Sequence, residues 1–236
     1  MAISSDLTEE ALSAAMPSRA IQTYEAVVST GSAAHGWVGA DAPHGAVVVA
    51  EHQLSPRGHA GRPLTVDPGQ GLGFSLILRP EIPAEREGWL YSLLLVALSE
   101  VLGHAAAIRW PDELRDGEAL VAAVGVTTAV SGGEVEWAIA DVLMPRAEAP
   151  RVDVLRQVLD AVDVRLQAPG SAVVDDYDRR CTTIGERVRA RLRAGTGPRL
   201  EGTATATLDD GALVLEIADG RTAPVRPQDV RALEPM

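Results

Sequence analysis

Ala50-Glu51-His52-Gln53-Leu54-Ser55-Pro56-Arg57-Gly58-His59-Ala60-Gly61-Arg62 is the stretch that decides how this chain is read. It leaves a short apolar run rich in β-branched residues, Val47 to His52, which reads as a buried strand. It then becomes a loop in which Gly58 and Gly61 are interleaved with Arg57, His59 and Arg62. Glycines let backbone amides approach an anion, and arginines supply forked donors to carboxylate or phosphate. A second apolar run, Leu72 to Leu78, reads as the next strand, so buried sheet frames the loop.

Working outward, Trp89 to Leu102 places apolar residues at helical spacing and ends at Gly103, which predicts a core helix packed on the sheet. Ala107 to Trp110 reads as a strand, and Ala119–Val130 with Val135–Leu143 as a hairpin around Ser131-Gly132-Gly133. Val152, Leu155, Leu159, Val162 and Leu166 mark a second long helix, and a shorter helical piece surrounds Tyr177 to Arg180. Asp175, Asp176 and Asp178 read there as a solvated helix face. From Arg187 the pattern changes to five short runs, Val188–Leu192, Leu200–Leu208, Leu213–Ile217, Thr222–Val225 and Val230–Leu233, cut by turns such as Asp209-Asp210-Gly211. Five short strands predict a small barrel, and the expected division is 1–183 and 184–236. At the start, Asp6 followed by Glu9 predicts a helix within Met1 to Met16, with Leu7, Ala11 and Leu12 on one face.

Composition narrows the function classes. A formal net charge of -12 opposes a broad grip on phosphate backbones, so nucleic acid is not an expected partner. The longest apolar stretch, Leu93 to Ala97, falls far short of the ~20 residues that cross a bilayer. The acidic start lacks the basic and apolar regions of a secretory signal, and Cys181 is the single cysteine, so no internal disulfide forms; a cytoplasmic protein is expected. Trp110, Trp137 and Cys181 read as core fillers. All 21 basic residues are arginine, and the chain has no lysine.

The loop resembles the signature of the biotin protein ligases, in which a strand ending Ala-Glu-x-Gln feeds a Gly-Arg-Gly-Arg-x-Gly-Arg loop. Other landmarks follow in the family's order. Ser29-Thr30 resembles the start of a Ser-Thr-Asn motif, Phe74 to Pro80 the strand after the loop, and Arg109-Trp110-Pro111-Asp112-Glu113 the motif Lys-Trp-Pro-Asn-Asp. Asp176 to Arg180, Thr183-Ile184-Gly185 and Gln228-Asp229-Val230 resemble the entry to and closing strand of the family's C-terminal barrel. The resemblance implies an α+β fold, a mixed sheet flanked by helices followed by a small barrel of Src-homology type. It also implies ATP-dependent activation of biotin and transfer to a lysine of a biotin carboxyl carrier domain. The stretch before Ser29-Thr30 is shorter than the ~50 residues of a further domain, so the DNA-binding domain of the regulatory members is not expected.

Ser29, Thr30, Gln53, Arg57, Gly58, His59 and Arg62 are the expected ligand-binding residues, with Arg109 and Asp112 on a possible nucleotide side and no metal ligand assigned. His59 is a candidate proton carrier. Several family residues are replaced: the loop's first Gly is Pro56, its second Arg is His59, the Asn of Trp-Pro-Asn-Asp is Asp112, the lysine of Lys-Leu-x-Gly is Ala119, and Gly-x-Gly-x-Asn appears as Ala138-Ile139-Ala140-Asp141-Val142. Losing a fixed cation near a transferring acyl or phosphoryl group removes transition-state stabilisation. The expectation is therefore a degenerate homologue that binds biotin, a biotin-like carboxylate or a carrier domain, with ATP and Mg doubtful and ligation weak or absent. A divergent active ligase whose arginines replace the lysine is the alternative, and another acyl transfer on the same scaffold a third.

Overall fold

The structure is a computed structural model that describes residues 6–103, 106–148, 150–193 and 199–236; Met1 to Ser5 of the expected first helix lie outside the described residues. Strands β1 (Ile21–Val27), β2 (Val47–Gln53), β3 (Leu72–Leu78), β4 (Ala107–Arg109), β5 (Glu113–Asp116), β6 (Ala119–Ser131) and β7 (Glu134–Met144) form one sheet in the order β1-β2-β3-β7-β6-β5-β4. The β1–β2 pair is parallel and the others are antiparallel, so the sheet is mixed.

Period-two alternation gives this sheet two different faces. On one, Leu72, Phe74, Leu76 and Leu78 of β3 and Ala138, Ala140, Val142 and Met144 of β7 enter the main core. Helices α1 (Glu9–Ala15), α3 (Trp89–Leu102), α4 (Arg151–Leu166) and α5 (Gly170–Asp178) contribute to that core. Every residue of α3 from Trp89 to Ser99 is buried, so it is a central helix covered on all sides. On the other face, Val48, Ile77 and Ile139 lie beneath the short helix α2 (Thr30–Val38), packed with Ala34 and Trp37. Ser75 of β3 and Asp141 of β7 stand directly opposite each other on that second face.

The chain ends in a five-stranded antiparallel, barrel-like sheet made of β8 (Arg187–Leu192), β9 (Leu200–Thr207), β10 (Leu213–Glu216), β11 (Thr222–Val225) and β12 (Val230–Pro235). It is tied to the first sheet by specific bonds. The Trp110 indole N–H donates to the Gly211 carbonyl at 3.1 Å, and the Thr207 hydroxyl donates to Asp178. No helix among the described residues is long and apolar enough to cross a membrane.

Two expectations are corrected. The first helix starts at Glu9 with Thr8 as its cap, the Thr8 hydroxyl accepting from the Ala11 N–H at 3.1 Å. Asp6 is taken instead by Arg151, a buried guanidinium that needs carboxylates: Asp6 accepts from its Nε at 2.6 Å, and Glu51 pairs with it at 2.9 Å. Asp176 and Asp178 are not simply solvated, because Arg165 reaches Asp176 at 2.5 Å and Asp178 holds Thr207. Cys181 and Trp110 are buried, as core fillers should be.

Candidate functional site

A cavity of about 390 Å³ opens on the second face of the main sheet. The first turn of α2 roofs it with Ser29, Thr30, Gly31 and Ser32, and His35 follows one turn later. Gln53 and Arg57 come from the end of β2 and the loop beyond, and Thr127, Ile139, Asp141 and Leu143 make the floor. Ser29 is the α2 cap, its hydroxyl accepting from the Ser32 N–H at 3.1 Å. That cap fixes where Thr30 sits.

Gln53 is buried and oriented without ambiguity. The Thr30 N–H donates to Gln53 Oε1 at 2.8 Å and the Thr30 hydroxyl to the same oxygen at 3.1 Å. An amide nitrogen cannot accept those donors, so the NH2 end points the other way. There it is a buried donor with no partner among the described residues. It lies against Gly73, where an added Cβ would stand 2.1 Å from Gln53 Nε2. Glycine at 73 therefore keeps space for this amide.

Asp141 is the least expected wall residue. Ser75 donates to its Oδ1 at 2.5 Å, and Ser75 Oγ is also 2.8 Å from the Thr30 hydroxyl. A Cβ on Gly31 would lie 2.7 Å from the same Oδ1, so the roof helix rests directly on the carboxyl group. Burial raises the Asp141 pKa to about 7, against the Ser75 bond that lowers it. Arg57 is exposed at the rim, donates to the Gly61 carbonyl at 3.4 Å, and has no ion-pair partner among the described residues.

A second cavity, of about 80 Å³, lies between the loop, the β4–β5 turn and β12, with His59, Arg62, Arg109, Asp112 and Glu113 in its wall. Arg62 serves two carboxylates, Asp112 at 3.0 Å and Glu113 at 2.5 Å. Burial lifts Asp112 to about 7 in spite of that guanidinium. Burial also pushes Glu113 upward, but its bonds to Arg115 and Arg62 hold it below the usual carboxylate range. Arg109 pairs with Glu186 at 3.4 Å. No group of three or more metal-ligating side chains occurs among the described residues.

His59 is buried, unlike a histidine on a solvated loop. Its Nε2 is 2.8 Å from the Val230 carbonyl, which can only accept, so Nε2 carries the hydrogen. Nδ1 then accepts from the Tyr91 hydroxyl at 3.0 Å, and that hydroxyl accepts from the Val126 N–H at 3.2 Å. Both ring nitrogens are used, and burial lowers the pKa to about 4. His59 binds the loop to the barrel-like sheet as a neutral ring.

No family model matches the chain. The bifunctional ligase/repressor BirA of Bacillus subtilis is 26% identical over 231 residues, covering 84% of this chain and 69% of that protein. The biotin–[acetyl-CoA-carboxylase] ligase of Mycobacterium tuberculosis is 27% identical over 211 residues, covering 79% of this chain and 78% of that one. Over most of its length the chain is similar to these biotin protein ligases. Its fold agrees with that of the biotin protein ligase from Aquifex aeolicus in complex with biotin and ATP, at a TM-score of 0.71, 20% identity and coverage of 92% of this chain and 99% of that one. A biotin protein ligase-like protein of unknown function from Silicibacter also resembles it, at a TM-score of 0.65, 15% identity and coverage of 88% and 95%.

Of the residues expected to bind ligand, the larger cavity brings together Ser29, Thr30, Gln53 and Arg57. Gly58 is buried beside Leu64 and does not line it. His59, Arg62, Arg109 and Asp112 gather at the smaller cavity. Asp141, Ser75 and Gly73 were not expected as site residues. A lone carboxylate inside the apolar run Trp137 to Met144, and a lone serine inside Leu72 to Leu78, are the signals that could have found two of them.

Proposed function

We propose that this chain is a biotin protein ligase homologue that holds a biotin-like carboxylate in the larger cavity, through Ser29, Thr30, Gln53 and Arg57, with weak or no ATP-dependent ligation. A biotin carboxyl carrier domain is the proposed protein partner. The observation that carries this reading is the division of the two loop arginines: Arg57 stands in the cavity wall without a carboxylate partner among the described residues, while Arg62 is held by Asp112 and Glu113.

The nucleotide side fits ATP and Mg poorly. A triphosphate needs net positive charge, yet Arg62 is neutralised by two carboxylates, position 119 is alanine, and no lysine exists to take its place. Glu113 is engaged by Arg115 and Arg62, which leaves it a poor metal ligand. The cavity beside Arg109 and Asp112, at about 80 Å³, is also small against the roughly 300–1,000 Å³ of ordinary ligand sites.

Calorimetry with biotin, lipoate and octanoate tests the carboxylate site. At least one of these acids is expected to bind the wild-type protein. Arg57→Ala should weaken that binding roughly tenfold to a hundredfold, the usual worth of a hydrogen bond to a charged group, without altering the circular dichroism spectrum. Equal affinity in the variant, or no heat from any of these acids, contradicts the reading. A divergent active ligase is the rival. It is favoured by Arg109, whose guanidinium faces the smaller cavity with only a 3.4 Å pairing to a half-exposed Glu186.

A further inference from the structure

The loop from Arg57 to Arg62 runs between the two cavities, with Arg57 in the wall of the larger and His59 and Arg62 in the wall of the smaller. It is folded back on itself. Arg57 and Pro63 form an antiparallel bridge, the Gly58 N–H donates to the Arg62 carbonyl at 2.9 Å, and the Leu64 N–H donates to the Pro56 carbonyl at 3.2 Å. Its backbone lies directly on β6 at Gly125, where an added Cβ would stand 3.2 Å from the Gly58 carbonyl carbon and 3.4 Å from the His59 nitrogen. Ala60, at the turn, has φ +54°, a left-handed conformation that a residue with a side chain keeps only when its surroundings impose it.

Two pins impose it, on different parts of the molecule. Buried His59 donates to the Val230 carbonyl of β12 at 2.8 Å and accepts from the Tyr91 hydroxyl of α3 at 3.0 Å. Arg62 is held by Asp112 at 3.0 Å and by Glu113 at 2.5 Å. These two carboxylates are buried while Arg62 is exposed, so the demand for the pairing comes from the acids. Arg115, on Glu113 at 2.6 Å, is the other cation acting on them among the described residues, and two adjacent buried acids left with a single cation are costly. Both pins are made by the chain itself. We propose that the chain locks its own loop: His59 on β12 and Arg62 on Asp112 and Glu113 keep residues 57–62 closed without any ligand, and the two carboxylates act as an internal anion that withholds Arg62 from anions in solution. This rests on and deepens the reading that the nucleotide side is weak or silent, by giving that side an autoinhibitory contact.

The experiment is trypsin cleavage of the full chain at Arg57–Gly58 without ligand, followed by mass spectrometry beside a synthetic peptide of residues 50–66; the bond after Arg62 precedes Pro63 and resists trypsin. The chain is expected to be cut there at least about a hundredfold more slowly than the peptide, because cleavage needs the loop to open. His59→Ala should speed the cut roughly tenfold to a hundredfold, the usual worth of two hydrogen bonds, while His59→Gln, which keeps a donor and an acceptor, should stay close to wild type. Wild-type cleavage at the rate of the peptide, or full protection in His59→Ala, overturns the lock. Should His59→Ala fail to fold, hydrogen exchange in the wild type decides: slow exchange of the Gly58 and Arg62 amides is expected, and exchange at the rate of the peptide overturns it. Calorimetry with inorganic pyrophosphate tests the internal anion. Wild type should give no heat, Asp112→Asn with Glu113→Gln should bind, and adding Arg62→Ala should abolish that binding; a silent double variant, or a wild type that binds equally well, overturns it. These readouts use no ATP, biotin or carrier domain, so the lock fails or stands separately from the reading on ligation.

Discussion

Truncation after Gly185 is expected to lower the melting temperature of the remaining chain by more than ~10 °C. The cut removes the Val230 carbonyl from His59 and the Gly211 carbonyl from Trp110. Each is a hydrogen bond exchanged for one to water, at ~0.5–1.5 kcal/mol apiece. Asp178 also loses Thr207, Arg109 loses Glu186, and Trp89 and Trp110, both buried, lose part of their cover. Against a native stability of ~5–15 kcal/mol these losses are a large fraction, and in a protein of this size each kcal/mol moves the midpoint by ~2–4 °C. A thermal scan of the two proteins checks it; an unchanged midpoint would mean that the barrel-like sheet is only tethered.

The second large effect concerns Asp141. Its folded-state pKa of about 7 lies above the ordinary value of 3.8, so between these values the folded chain keeps a proton that the unfolded chain releases. Stability from this group is therefore present below pH ~4 and lost as the pH rises through ~7. Asp141→Asn keeps the shape and a hydrogen bond to Ser75 but cannot ionise. The variant should be close to wild type near pH 4 and more stable above pH 8, by on the order of a few kcal/mol, because the folded and unfolded values differ so widely. Chemical denaturation of both proteins at the two pH values measures it. Loss of stability in the variant at high pH would show that the Asp141 charge supports the fold.

Much of the fold was legible because it rests on local patterns. The runs Val47–His52 and Leu72–Leu78, the helix Trp89–Leu102, the hairpin about Ser131-Gly132-Gly133 and the five C-terminal strands all appear within a residue or two of their expected places. What escaped were elements that tertiary packing imposes. α2 contains Gly31, Ser32 and Gly36, poor helix formers, and is held by Ala34 and Trp37 against the sheet. β1 is an edge strand with much of its surface exposed, so it carries no clear alternation.

The site divides in the same way. Thr30, Gln53 and Arg57 were legible through a motif, and the cavity gathers them. His59 looked solvated because its partners, Tyr91 and Val230, lie 32 and 171 residues away. Asp141 read only as a departure from a glycine motif, since nothing local tells that strand pairing sets it opposite Ser75.

The central claim is that the carboxylate site is kept while adenylate chemistry is weak or absent. The most direct measurement is carrier labelling: the purified chain, ATP, magnesium, biotin and a biotin carboxyl carrier domain, followed with streptavidin over time. The account predicts no label above the no-enzyme control. A carrier band that grows with time and with enzyme concentration would contradict it.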